Sequence, residues 1–144
     1  MQRTLRIQLA PSPAQADALA ETSRQFTAAF NLFVEQGWRE GVSNATKLHF
    51  VAYYVVREAL PELNSNLTNT ARAKAAESLR SAFTLHKNQE RKVSMPHSDA
   101  CPPRYNVHTY RVDWERQIVR LSLVGGRQTI GFNVPKPAAA RCSA

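Results

Sequence analysis

The chain has 144 residues, with 19 lysines and arginines against 11 aspartates and glutamates, a formal charge of +8 and 43% hydrophobic residues. That length suits one domain with a real core, or a small β-domain with a helical appendage, and excludes two large domains. The basic excess favours polyanionic partners through counterion release on phosphate binding, while no apolar run is long enough to span a membrane and the N-terminus lacks a signal peptide's apolar core. A cytoplasmic protein is expected.

The elements follow in chain order. From Arg3 to Leu9, Leu5, Ile7 and Leu9 alternate with Thr4, Arg6 and Gln8, the two-residue period of a strand, and Pro11-Ser12-Pro13 ends it. Ser12 is an N-cap, Pro13 suits the first helical position and Gln15 completes a capping box. A first helix is expected there. Leu19, Phe26, Phe30 and Phe33 form its apolar stripe, and Gly37 and Gly41 mark its end. A second helix is expected from about Asn44 to Leu60, with Leu48, Val51, Ala52, Val55 and Ala59 inward and Pro61 closing it. Phe50, Tyr53 and Tyr54 point elsewhere, either towards a neighbouring element or as stacking platforms for bases.

A third helix is expected from about Leu67 to Asn88, burying Ala71, Ala75, Leu79, Ala82 and Phe83. Thr70, Lys74, Ser81 and Asn88 lie along a polar stripe, flanked by Arg72, Arg80, Lys87 and Arg91. Such a mixture of neutral donors and cations can touch base edges and phosphates together, or be an ordinary solvated face. From Asn88 to Tyr105 the periodicity fails and prolines gather, which reads as a return loop. Val107 to Pro135 then reads as three strands joined by tight turns, with Gly125-Gly126 as a two-residue hairpin loop. The tail after Pro135 has no pattern and is expected to be disordered.

Catalytic chemistry is hard to find. Asp17, Glu21, Glu35, Glu40, Glu58, Glu62, Glu77 and Glu90 are scattered along helices, and Asp113 and Glu115 bracket a turn, so no set of carboxylates converges on a divalent ion. His49, His86, His97 and His108 form no close pair, and Cys101 and Cys142 cannot supply a four-ligand zinc site. No catalytic residue, metal or cofactor is expected.

Three segments carry a resemblance that spans almost the whole chain: RTLRIQLAPSPAQADAL at the start, FTAAFNLFVEQGW in the first helix, and the terminal D-W-E-R-x-x-V-R-L-S-x-x-G-G-R-x-x-I-x-F-x-V-P meander. In this order they resemble the N-terminal part of TnpB/OrfB-type proteins, transposon-encoded RNA-guided DNA endonucleases related to the compact type V CRISPR effectors. The resemblance implies an α+β fold, a small antiparallel OB-like β-barrel with a three-helix insertion between its first and second strands. Residues 1–10 with 106–135 would form the wedge-like barrel, 11–105 the helical recognition insertion and return loop, and 136–144 the tail. It implies guide RNA and target DNA as partners. The RuvC-like nuclease and zinc-ribbon parts, which follow the meander in the family, have no counterpart here, so binding without catalysis is expected. Two alternatives stand beside it: half of a split nuclease completed by a separate RuvC-like domain, and a binding-only regulator.

On this resemblance Arg3, Arg6, Arg111, Arg116, Arg120 and Arg127 would meet phosphates of structured RNA. Thr70 and Lys74 occupy positions where the family commonly has glutamines that read a motif beside the DNA target, with Arg72 and Arg80 near them and Lys87 further along. Arg91, Lys92, Arg104 and Tyr105 fall where relatives carry a basic, aromatic-containing segment, as phosphate or stacking contacts.

Overall fold

The computed structural model describes residues 2–89 and 92–134, and the elements run β1 (Gln8–Ala10), α1 (Pro13–Glu40), α2 (Ala45–Ala59), α3 (Ser65–Gln89), β2 (Tyr110–Asp113), β3 (Ile118–Leu123) and β4 (Gly126–Asn133). The tail beyond Val134 and Arg91 lie outside the described residues. The fold is α+β, with the three helices between the first and second strands.

Local chemistry explains the helix boundaries. The Ser12 hydroxyl accepts from the Gln15 amide at 3.2 Å while the Gln15 side chain accepts from the Ser12 amide at 3.0 Å, closing the capping box at the start of α1. Gln15 has a second role, since its Nε2 donates to the Thr129 carbonyl at 2.9 Å and fastens the helix start to β4. At the other end Gly41, with φ at +67°, takes the left-handed conformation of a C-cap. Gly37 does not end the helix as expected. It is buried inside α1, where a Cβ would meet the Val42 carbonyl at 2.7 Å and overlap Leu79 of α3. Its missing side chain sets how closely the helices approach. Asn44 caps α2 by accepting from Thr46 and Lys47, and Asn64 serves the first turn of α3 in the same way.

The three helices enclose one core, with Phe26, Phe33, Leu48, Val56, Leu67 and Leu79 fully buried. On α2 the buried stripe is Leu48, Ala52 and Val56. Val51, Val55 and Ala59 were expected inward and are exposed, because a stripe stepping by four from Leu48 leaves them on the far side of a helix that has neighbours on one flank only. Phe83 is half-buried against Trp38.

The four strands form an antiparallel sheet in the order β1-β4-β3-β2, so the first strand joins the closing meander through β4. β1 and β2 are its edges, which makes it an open sheet. Two strands are shorter than their alternation predicts: residues 3–7 make no ladder, and Val107 to Thr109 form a turn, in which the Thr109 hydroxyl accepts from the Asn106 amide at 2.8 Å and its carbonyl accepts from Ser122. The β3–β4 hairpin is offset by one from the expectation. Leu123 pairs with Gly126, so Val124-Gly125 is the two-residue loop, with φ at +93° for Gly125 and +128° for Gly126. A second core of Val119, Leu121, Leu123, Ile130 and Phe132 lies on one sheet face, covered by Ala18 and Leu19 of α1.

Tyr105 belongs to both cores. Its ring packs between helices and sheet, and its hydroxyl donates to the Ser122 carbonyl at 2.8 Å. Burial pushes its phenol up to about 12. The return loop before it is stitched down by side chains: Asn31 makes a two-way pair with the Ser98 backbone, Thr27 does the same with Cys101, and Lys74 donates to the Pro102 carbonyl at 3.0 Å.

Candidate nucleic-acid interface

The sheet face turned away from the core carries the arginines. Alternation places Val119, Leu121 and Leu123 inward and Arg120 outward, and the antiparallel register puts Arg111 of β2 directly opposite Arg120. On the other flank Arg120 pairs with Thr129, and Arg127 faces Ser122 one step along. Arg111, Arg120 and Arg127 therefore run diagonally over three adjacent strands, all exposed. Side chains directly opposite in an antiparallel pair have Cβ atoms about 5 Å apart, so two like charges there repel. Among the described residues none of the three arginines, nor Arg3, Arg6 or Arg80, forms an ion pair with an acid.

At the β2–β3 end the same face forms a cleft lined by Arg111, Asp113, Arg116, Ile118 and Arg120. Asp113 caps the turn by accepting from the Arg116 amide at 3.1 Å, and the Arg116 guanidinium lies 3.9 Å from its carboxylate. One carboxylate thus stands among three guanidinium groups, leaving net positive charge in a concave place.

The donors expected on α3 are less uniformly open. The Thr70 hydroxyl is half-buried and bonds back to the Leu67 carbonyl at 3.0 Å. Arg72 is half-buried and turned onto His49 Nδ1, with its Nε sealed off and unpartnered, and burial lowers its pKa. That contact requires His49 to accept at Nδ1, the neutral tautomer with its proton on Nε2. Lys74 reaches the return loop, 5.8 Å over the Phe26 ring. Arg80, Lys87 and, beyond the helix, Lys92 are exposed.

Arg104 makes a two-pronged pair with Glu77 of α3, both contacts at 2.9 Å, which lowers the Glu77 pKa and raises that of Arg104. Tyr105 is drawn inward as described. The structure thus gathers Arg111, Arg116, Arg120 and Arg127 on one face, leaves Arg80, Lys87 and Lys92 on helical and loop surface, and uses Arg72, Lys74, Arg104 and Tyr105 in internal contacts. His49 and Asp113 are the neighbours that sequence reading did not attach to the site. The Arg111–Arg120 pairing was within reach of counting outward from the β2–β3 turn, whereas the Arg72–His49 contact joins two helices and has no local signal.

No group of three or more histidine, cysteine, aspartate or glutamate side chains able to hold a metal lies together among the described residues. No helix among them is long and apolar enough to cross a membrane. Compared with protein families, with curated proteins and with solved structures, the chain matches none.

Proposed function

We propose that this chain is a nucleic-acid-binding module whose outer sheet face takes a phosphate backbone. The observation that carries the reading is the direct opposition of Arg111 and Arg120, with Arg127 on the next strand and no acid paired to any of them among the described residues. Like charges so placed weaken a sheet unless anions balance them, and the single Asp113 carboxylate leaves the cleft net positive. A polyanion supplies such anions repeatedly, and each contact adds counterion release.

The sequence resemblance gives the proposal its finer form: the wedge and helical recognition parts of a TnpB/OrfB-type transposon-encoded, RNA-guided nuclease, binding guide RNA and target DNA and cutting neither. Under this reading the open sheet is the greater part of an OB-like barrel, Arg3 and Arg6 extend the basic face beside β1, and Arg80, Lys87 and Lys92 offer a second, helical contact. Support comes from the strand–three-helix–meander order, the pairing of the first strand with the last, and the one-sided placement of the arginines.

Binding of a structured RNA and of duplex DNA, measured by fluorescence anisotropy over a salt series, tests this. The Arg111→Glu/Arg120→Glu variant is expected to lose affinity and to flatten the dependence of log K on log salt by about 0.7–0.9 for each phosphate contact removed. Equal affinity and slope for the variant and the parent chain would remove the sheet face from consideration. An isolated effect of Arg80→Glu would move the interface to α3.

A further inference from the structure

α2 buries Leu48, Ala52 and Val56 against the other helices and turns a second apolar strip to solvent. Phe50 and Tyr54 are 77% and 76% exposed, and Val51 and Val55 37% and 46%. Single exposed apolar side chains are ordinary, but these adjoin on one helix and form a contiguous patch of the kind that marks an interaction surface.

The strip has an internal symmetry. Lys47, Val51, Tyr54 and Glu58 recur at intervals of four, three and four residues, the spacing of a seam along a helix, and Phe50 and Val55 flank that seam. Read backwards, the six positions repeat the same pattern with the charges exchanged. Two copies of α2 packed antiparallel about a twofold axis would bring Val51 against Tyr54 and Lys47 against Glu58 of the second copy, each contact occurring twice, with Phe50 beside its own mate along one flank and Val55 beside its mate along the other. We infer that α2 is a homodimerisation face, on which a second copy of this chain docks antiparallel through its own α2.

Charge favours that occupant over a nucleic-acid strand. An aromatic platform for bases needs a row of accompanying cations. Here Arg57 is turned to the Leu63 carbonyl and Arg72 to His49, and the strip itself carries one lysine and one glutamate. Those two charges lie at opposite ends of the strip, where an antiparallel partner complements both. Neither is in an ion pair among the described residues. If a fully exposed aromatic side chain presents ~200 Å², the strip offers on the order of 400 Å² per copy. The pair then buries roughly 800 Å², below the ~1,200 Å² at which specific complexes become stable, so association is weak and rises with concentration.

Sedimentation equilibrium of the full chain, freed of nucleic acid by nuclease and high salt, tests the inference, which does not depend on the proposed binding function. A monomer–dimer equilibrium is expected. Phe50→Ser with Tyr54→Ser should sediment as a monomer with unchanged helical circular dichroism, since both side chains are exposed. Lys47→Glu and Glu58→Lys should each weaken the dimer about tenfold by setting like charges at both ends, and the double reversal should restore it. A chain that stays monomeric at every concentration overturns the inference. So does a dimer indifferent to Phe50 and Tyr54, or a double reversal no tighter than the single ones. If the chain is always monomeric and the serine variant instead loses binding to a single-stranded oligonucleotide, the strip is a base-stacking platform and the dimer is wrong.

Discussion

The helical layer and the sheet treat their cations in opposite ways. In the helices Arg24 and Arg39 hold acids one turn away, Lys74 and Arg104 hold the return loop, and Arg72 turns onto His49. The sheet sets Arg111 opposite Arg120 and leaves Arg127 beside them without an acid among the described residues. Those five cations of the helical layer and its loop serve the fold, while Arg80 and Lys87 of α3 stay exposed without an ion pair among the described residues. The opposed Arg111–Arg120 pair of the sheet works against the fold, and a protein keeps an arrangement that its own contacts do not reward when something outside supplies further anions. Net charge alone does not separate the two sets, because all of them count equally towards +8.

Tyr105 couples the two layers, since its ring packs against both cores. Tyr105→Ala, at a half-buried ring, is expected to cost at most the ~3–5 kcal/mol of removing a fully buried aromatic in chemical denaturation, and to split one unfolding transition into two as sheet and helices lose their common strut. The wild-type chain carries a spectroscopic counterpart. The Tyr105 phenol is raised from the ordinary 10 to about 12 by burial, so its neutral form is the one the fold favours. The stability this gives is fully present below the unfolded value and is lost as pH rises through the folded one. Absorbance titration should therefore show one of the four tyrosines ionising late, and Tyr105→Phe should abolish that step. A late step that survives in Tyr105→Phe would assign it to another tyrosine.

A smaller effect, confined to the helical side, is expected at Gly37. A methyl group there overlaps Leu79 and presses on the Val42 carbonyl. Gly37→Ala should destabilise by about 1–3 kcal/mol, as overpacking does, although alanine is the better helix former. Leu79→Ala in the same chain should recover part of the loss by opening the space. Phosphate affinity at the sheet should be unchanged in the folded fraction, because Gly37 touches nothing in it.

What was legible in the sequence followed from short-range chemistry. Ser12, Pro13 and Gln15 fix the start of α1 through their own backbone and side-chain groups, and Gly41 fixes its end by a conformation that glycine adopts without cost. The alternation in β3 likewise sorted Arg120 from Leu121 without knowledge of any neighbour. What failed depended on partners distant along the chain. Val51 and Val55 satisfy an apolar pattern as well as Ala52 and Val56 do, and only the placement of α1 and α3 on one flank decides which pair is buried. Residues 3–7 alternate like a strand, yet the ladder between β1 and β4 begins only at the Gln8–Asn133 pair. The functions of Arg104 and Tyr105 were obscured for the same reason. Glu77 and Ser122 are their partners, and neither is near them in sequence.

The smallest expected effect separates the two kinds of cation most directly. Arg120→Thr removes one of two opposed guanidinium groups and sets a threonine beside Thr129, a favourable cross-strand pair on an exposed face. Denaturation at low salt should find the variant more stable than the parent by about 0.2–1 kcal/mol, while its affinity for RNA falls. The gain is electrostatic, so it should shrink as ionic strength rises and the repulsion in the parent is screened. Arg127→Thr is the control. It faces Ser122 and has no arginine opposite, so it should lose affinity with no gain in stability. A stability loss at Arg120→Thr would mean that the arginine stem packs on the sheet and outweighs the repulsion. The opposed pair would then belong with the structural cations of the helices, and the contrast between the two layers would disappear.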